Sequence, residues 1–209
     1  MTIIVGYDLI TLREKVDIEA AEGRLADLGE LRSIDALGEK AGILRALGRL
    51  DEAWDIANEA VRQSRFTADR EQLVRARVRR AQVQQFKGKL DEALVELTDC
   101  VDQSRANDWS DTEAFALQHR GKVYFDQKEY APARADFNDA LKLRIRIKAP
   151  SEQIDSSMVA IAVAESFLER EAEANGEAPA EEPVDSADTV PRAPEAEKPA
   201  PTPSNEPAG

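Results

Sequence analysis

Hydrophobic residues recur at steps of three and four in three segments of the chain, and the segments are spaced 40 residues apart. Steps of three and four place side chains on one face of an α-helix. The pattern therefore predicts three equivalent amphipathic helices, in which only Arg134 interrupts the apolar face. The aligned positions are Leu50, Ala53, Trp54, Ala57, Ala60 and Val61; Leu90, Ala93, Leu94, Leu97, Cys100 and Val101; and Tyr130, Ala133, Arg134, Phe137, Ala140 and Leu141.

A short motif begins each of these helices. It reads GRLDEA at 48–53, GKLDEA at 88–93 and, in a weaker copy, KEYAPA at 128–133. Glycine marks a turn, and acidic residues in a first helical turn complement the helix dipole. A small residue twelve positions before the alanine of the motif indicates a second helix packed closely against the first. We predict three stacked helix pairs in which Ala53, Ala93 and Ala133 are buried.

The third copy resembles the tetratricopeptide repeat family. The residues that carry the resemblance are Leu117, Gly121, Tyr124, Tyr130, Ala133, Phe137 and Ala140. The resemblance covers residues 33–150, although the period is 40 residues rather than the usual 34 or so. It implies an all-α, right-handed α-solenoid of helix-turn-helix repeats that binds proteins. It also implies that the first helix of each pair lines a concave groove.

The segments outside the repeats differ in character. Residues 1–32 are predicted to be an N-terminal segment with a capping helix at Leu9–Leu28. Pro150 stops the last repeat helix, and residues 151–174 are predicted to form a C-terminal capping helix that Ser151 begins. Residues 175–209 are rich in proline and acidic residues and contain no aromatic residue. Such a composition buries too little apolar surface to fold, which predicts a disordered acidic tail. Residues 141–148 alternate like a strand, but the repeat register assigns them to a helix.

Composition limits the chemistry that the chain can perform. The formal net charge is −13, and the chain has one cysteine and one histidine. No internal disulfide can form, and Cys100 occupies a packing position that alanine takes in the other repeats. We found no phosphate-binding loop, nucleophile elbow or metal-binding cluster, so we predict no enzyme activity, no cofactor and no metal site. The N-terminus has no signal-peptide core, and we expect a cytoplasmic protein without a membrane segment.

Positive charge is concentrated in one place despite the acidic composition. Residues 65–89 contain eight basic and two acidic residues. Arg75 and Arg79 lie one turn apart on the first helix of the second pair, where they suit carboxylates of a ligand. The equivalent helix of the third pair offers comparable positions. The candidate binding residues are Arg75, Arg79, Gln82, Phe115, Gln118, His119 and Lys122. Arg77 and Arg80 are expected to point away from the groove and pair with acids.

Several interpretations of this charge remain open. All four arginines could simply pair with carboxylates on adjacent helices. Alternatively, the groove could bind a protein or an acidic peptide, and the acidic tail could make an intramolecular contact there. Nucleic-acid binding is a further alternative that the negative net charge disfavours. A last alternative is a homo-oligomerising assembly factor. The main prediction is a non-catalytic protein-interaction scaffold.

Overall fold

The computed structural model describes residues 3–176, which contain a short hairpin and eight helices. The predicted disordered tail lies outside the described residues from position 177 onward. The strands are β1 (Ile4–Tyr7) and β2 (Glu14–Val16). The helices are α1 (Ile18–Leu28), α2 (Ile34–Ala46), α3 (Leu50–Ser64), α4 (Arg70–Phe86), α5 (Leu90–Ala106), α6 (Ser110–Asp126), α7 (Tyr130–Arg146) and α8 (Ser151–Ala174).

Helices α2 to α7 form the three predicted pairs, α2 with α3, α4 with α5 and α6 with α7, stacked into a solenoid. The second helices begin at Leu50, Leu90 and Tyr130, so the 40-residue register is confirmed. Ala53, Ala93 and Ala133 are each 0% exposed. A methyl group at these positions fills the space between two helix backbones, which explains why the periodic pattern carries alanine there. Helix α8 packs on α7 and closes that end of the stack.

The turns and contacts within the pairs follow from small residues. Gly48 and Gly88 adopt left-handed backbone conformations with φ of 77° and 75°, and Lys128 adopts the same conformation in the third pair with φ of 64°. Glycine reaches this region without a steric penalty, whereas lysine does not. Gly121 lets α6 approach α7, because a Cβ there would lie 2.6 Å from a ring carbon of Phe137.

The N-terminal segment differs from the prediction. A helix from Leu9 was wrong, because residues 4–16 form the antiparallel hairpin and α1 begins only at Ile18. The Asp8 carboxylate accepts hydrogen bonds from the backbone N–H groups of Ile10 (3.0 Å) and Thr11 (2.8 Å), which fixes the hairpin loop. At the other end of the solenoid, Ser151 is the first residue of α8, as predicted, and Pro150 occupies the capping position before it.

The hairpin packs against the inner side of the solenoid. Leu12 is 3% exposed and belongs to the same core cluster as Phe125 and Phe137. Arg13 donates from Nη2 to Oδ2 of Asp126 at 2.6 Å, and its guanidinium lies 4.1 Å from the ring centre of Phe86. The hairpin is thus anchored to α4 and α6, and it covers the concave surface that these helices form.

Candidate binding site in the concave channel

All seven predicted binding residues line one cavity of about 360 Å³ on the concave side of the solenoid. They come from α4 and α6, the first helices of the second and third pairs, as the resemblance implied. The structure adds wall residues that the sequence did not reveal. These are Ile4, Tyr7 and Glu14 of the hairpin, Arg45 of α2, Asp111 of α6, Arg144 of α7, and Glu152, Gln153 and Ser156 of α8. We call this space the concave channel.

Three of the four clustered arginines on α4 have carboxylate partners. Arg75 donates from Nη1 to Oδ2 of Asp111 at 2.5 Å and to Oγ1 of Thr112 at 3.2 Å. Arg77 and Arg80 point away from the channel and share Glu96 on α5, at 3.2 Å and 3.1 Å from their Nε atoms. The predicted direction of Arg77 and Arg80 is therefore confirmed. For these three side chains, the interpretation as pairing between adjacent helices is sufficient.

Arg79 is different. Among residues 3–176 it makes no side-chain hydrogen bond and no ion pair, and its side chain is half-buried. Its side chain lies across α2, where a Cβ on Gly38 would be 2.9 Å from its Nε, and its guanidinium is 5.5 Å from the ring centre of Phe115. Burial lowers the pKa of Arg79, and the neighbouring charges of Arg75 and Arg45 lower it further, whereas the carboxylates of Glu39 and Asp35 oppose this change. Among residues 3–176, Arg79 thus has carboxylates nearby but none at ion-pair distance.

Glu14 brings a carboxylate from the hairpin into the channel. Its Oε2 accepts from Nη2 of Arg45 at 2.8 Å and its Oε1 from Nζ of Lys122 at 3.1 Å. The three side chains are only 8–9% exposed. Burial alone would raise the pKa of the Glu14 carboxyl, but Lys122 and Arg45 outweigh burial and hold the pKa well below its ordinary value. Glu14 is therefore ionised at neutral pH.

His119 and Lys122 lie on α6 beside this carboxylate. His119 is 9% exposed, and the edge of its ring contacts Phe115 with ring centres 4.9 Å apart. Burial lowers the pKa of His119 well below its ordinary value, and the charge of Lys122 adds to this effect. Burial also lowers the pKa of Lys122, while Glu14 opposes that change. At neutral pH the imidazole is thus uncharged and can donate one N–H and accept one hydrogen bond.

Four buried donors in the channel wall lack a hydrogen-bond partner within residues 3–176. They are Nε of Arg45, Nε2 of Gln82, Nε2 of Gln118 and Nε of Arg144. The residues that carry them are between 2% and 7% exposed. A buried donor without an acceptor costs about 1–3 kcal/mol, so natural proteins contain few of them. Four of the six buried side-chain N and O atoms that lack a partner among the described residues lie at this cavity, where a ligand or water supplies the acceptors.

The charged side chains of the channel wall also favour an anionic ligand. The cationic side chains are Arg45, Arg75, Arg79, Lys122 and Arg144, and the carboxylates are Glu14, Asp111 and Glu152. The five cations thus exceed the three anions among the described lining residues. In a chain of net charge −13, this local excess gives the concave channel an electrostatic preference for anions.

The sequence offered no signal for the part that Glu14 plays. A carboxylate in an acidic protein is ordinarily solvated, and the segment around it was interpreted as helix. The hairpin itself had a weak signal, because Ile3, Ile4 and Val5 are β-branched and Asp8 precedes Thr11 with a spacing typical of a side-chain-capped turn.

A second cleft of about 1150 Å³ lies between the N-terminal elements and α8. It contains none of the seven predicted residues, and its charged lining is mainly acidic. The carboxylates there are Glu19, Asp27, Glu39, Glu152 and Asp155. Its cationic residue, Arg24, is already paired with Glu39 at 2.6 Å and 2.9 Å. We therefore assign the candidate site to the smaller concave channel.

Residues 3–176 contain neither a metal-binding cluster nor a membrane-spanning helix. No group of three histidine, cysteine or carboxylate side chains lies close enough together to hold a metal ion. No helix in that range is long and apolar enough to cross a bilayer. Cys100 is 0% exposed, and burial raises the pKa of its thiol to about 12, which makes it a packing residue rather than a nucleophile.

Comparisons with known proteins agree with this architecture. A family model described as tetratricopeptide repeat matches residues 116–144, which comprise most of α6 and α7. The predicted resemblance is confirmed: residues 116–144 match a tetratricopeptide repeat. No curated protein sequence matches the chain.

Two solved structures of helical repeat proteins have the same fold. The apo form of RapI superposes with a TM-score of 0.56 at 16% sequence identity, over 77% of this chain and 60% of RapI. BtubC (BKLC) from P. vanneervenii superposes with a TM-score of 0.53 at 14% identity, over 78% of this chain and 74% of BtubC. The aligned part of this chain therefore spans 60% of the length of RapI. At these identities the likeness concerns the fold alone.

Proposed function

We propose that this tetratricopeptide-type protein is a non-catalytic scaffold whose concave channel binds an acidic, extended segment of a partner protein. Repeats of this family are typically non-catalytic and bind proteins, which supports the general class. The specific proposal rests on the position of the Glu14 carboxylate. A carboxylate on an extended strand already lies between Arg45 and Lys122, at 2.8 Å and 3.1 Å from their donor atoms.

The hairpin of the chain itself thus illustrates the chemistry that a partner would use. A competing partner must bring a carboxylate to Arg45 and Lys122, since these cations would otherwise be buried without compensation. The hairpin is tethered to the channel, and a short tether gives an effective concentration on the order of millimolar. A partner therefore has to offer further contacts, and Arg79 with its unpartnered neighbours provides a place for them.

The proposal can be tested with a displayed library of random peptides selected on the full-length protein. We expect the selected peptides to be enriched in Asp and Glu. A labelled synthetic copy of the best binder, followed by fluorescence anisotropy, should bind Lys122→Gln at least about tenfold more weakly than wild type, because the substitution removes a charge-assisted contact. The matched control is Lys142→Gln, whose side chain on α7 is 71% exposed.

The Glu14→Gln variant provides a second measurement on the same peptide. This substitution weakens the occupant that competes from within the chain, so the peptide should bind it more tightly than wild type. Selected peptides without acidic enrichment, or binding that Lys122→Gln leaves unchanged, would contradict the proposal.

A further inference from the structure

We propose that the concave channel contains an oxyanion-binding site centred on Arg79, with Gln82, Gln118 and His119 as neutral donors. The ligand chemistry is a carboxylate or phosphate group, carried either by a free small molecule or by the bound segment of a partner. This inference deepens the proposed function, on which it rests, by naming a second anion position distinct from the one that Glu14 occupies.

Arg79 is positioned for a ligand rather than for the fold. Arg75, one turn earlier on α4, pairs with Asp111, and Arg45 and Lys122 share Glu14. Arg144 has no ion pair among residues 3–176 either, but it donates hydrogen bonds to Gln118, Gln153 and Ser157. Within residues 3–176 no carboxylate lies within ion-pair distance of Arg79. The Arg79 side chain is half-buried, and partial desolvation of a guanidinium that has no ion pair costs folding free energy. This cost is explained if Arg79 binds an anion, because the bound anion compensates the charge. A purely structural role gives no such explanation.

Two glycines on α2 leave the space that the Arg79 side chain occupies. Gly38 and Gly42 remove two side chains from the face of α2 that meets α4. A Cβ on Gly38 would lie 2.9 Å from Nε and 3.0 Å from Cδ of Arg79, whereas a Cβ on Gly42 would lie 3.7 Å from Nη1, at ordinary contact distance. Gly38 is therefore required for the observed position of Arg79, and Gly42 is not.

Neutral donors complete the site. Nε2 of Gln82 and Nε2 of Gln118 are buried in the channel wall without a partner, and the two residues are 4% and 2% exposed. The orientation of the Gln118 amide is fixed, since its Oε1 accepts from Arg144 at 3.0 Å and from Ser157 at 2.8 Å. An oxyanion with two or more oxygens could accept from Arg79 and from these amides together, in the way that buried carboxylates and phosphates are usually satisfied.

Phe115 forms one apolar wall of the site. Its ring contacts His119 edge-on and lies 5.5 Å and 5.9 Å from the guanidinium carbons of Arg79 and Arg75. The ring attracts these guanidinium groups through cation–π interactions, which stabilise their charges when no anion is bound. The volume of about 360 Å³ is at the small end of the range for ligand pockets. It suits a small carboxylate or phosphate compound, or the acidic side chain of a peptide, better than a nucleotide or a lipid.

The test is isothermal titration calorimetry on the full-length protein at constant ionic strength. The probes are inorganic phosphate, succinate and acetyl-tetraglutamate amide, with chloride and acetyl-tetraglutamine amide as the matched controls. We expect saturable binding of at least one oxyanion probe above its control. The variants Arg79→Met and Gly38→Ala should weaken that binding about tenfold or more, since a charge-assisted contact is lost or displaced. The control variants Arg70→Met, which alters an exposed arginine on the same helix, and Gly42→Ala should bind normally.

Stability separates a binding role from a structural one. If Arg79 serves a ligand, Arg79→Met removes a half-buried charge that has no ion pair, so the urea midpoint without ligand should stay level or rise. The oxyanion probe that binds should raise the midpoint of wild type and leave that of Arg79→Met unchanged. A clear loss of stability in Arg79→Met without ligand would assign the residue to the fold and overturn the proposal.

The probes also distinguish a free small anion from an anionic group carried by a partner protein. They separate the proposed protein-binding function from the proposed oxyanion site in the same way. Binding of phosphate or succinate without binding of the peptide identifies a free small anion as the ligand and contradicts the proposed protein-binding function alone. Binding of the peptide without the free anions identifies a partner-borne carboxylate. No binding above the controls, or binding that Arg79→Met leaves unchanged, means that the unpartnered donors meet only water, and the oxyanion site is then refuted.

Discussion

Replacement of Glu14 by glutamine is the sharpest test of the concave channel. The substitution keeps the size of the side chain but removes the charge between Arg45 and Lys122 and places an amide N–H₂ near two donors. The three side chains are 8–9% exposed, so the value of about 0–1 kcal/mol for exposed pairs does not apply. Removal of one partner from a buried charge cluster costs about 3–5 kcal/mol, because the remaining charge has no compensation.

Urea unfolding followed by circular dichroism at neutral pH measures this loss. The matched control is Glu30→Gln, an exposed carboxylate, for which we expect a change within about 0.5 kcal/mol. The combination of Glu14→Gln with Lys122→Met should cost less than the sum of the single changes, because the two residues interact directly. A loss below about 1 kcal/mol for Glu14→Gln would show that the hairpin does not occupy the channel in solution, and would refute the reasoning from a buried ion pair.

The pH dependence gives an independent check on the same residue. The pKa of Glu14 is lower in the folded protein than its ordinary value because Lys122 and Arg45 outweigh burial. Its contribution to stability is therefore fully present above the unfolded pKa of about 4.3 and is lost as the pH falls below that value. The wild type should lose stability in this range more steeply than Glu14→Gln.

Three further outcomes are expected. Acidification from about pH 6.5 should destabilise the wild type more than His119→Gln, because burial lowers the pKa of His119 and only the unfolded state then takes up the proton; equal slopes in urea titrations across this range would contradict it. Gly121→Ala should cost about 1–3 kcal/mol in chemical unfolding, since its Cβ would lie 2.6 Å from Phe137, and an unchanged midpoint would show that α6 and α7 can separate freely. Lys128→Gly should gain about 0.5–1 kcal/mol because φ is 64° at that turn, and a lower melting temperature would refute this account.

The repeat architecture could be predicted from the sequence because its signals are local. The 40-residue spacing of the motifs, the glycines at 48 and 88 and the small residues at 53, 93 and 133 act through turns and helix pairs that are close in sequence. The end of α7 shows the same effect, since residues 141–146 alternate like a strand in isolation but are helical in the structure. The direction of Arg77 and Arg80 was predictable for the same reason, because the side chains on one helix face are fixed by the helical period.

The tertiary structure alone decided what fills the channel and that Arg79 has neither an ion pair nor a side-chain hydrogen bond among residues 3–176. Glu14 meets residues that are 31 and 108 positions away in sequence, and Arg79 depends on a glycine of a different repeat. No periodic pattern encodes such contacts, because a carboxylate or an arginine looks the same in a sequence whether it is solvated or buried against an opposite charge. Their energies arise only when the solenoid brings separate helices and the hairpin around one desolvated space, where the balance between burial and pairing determines each charge.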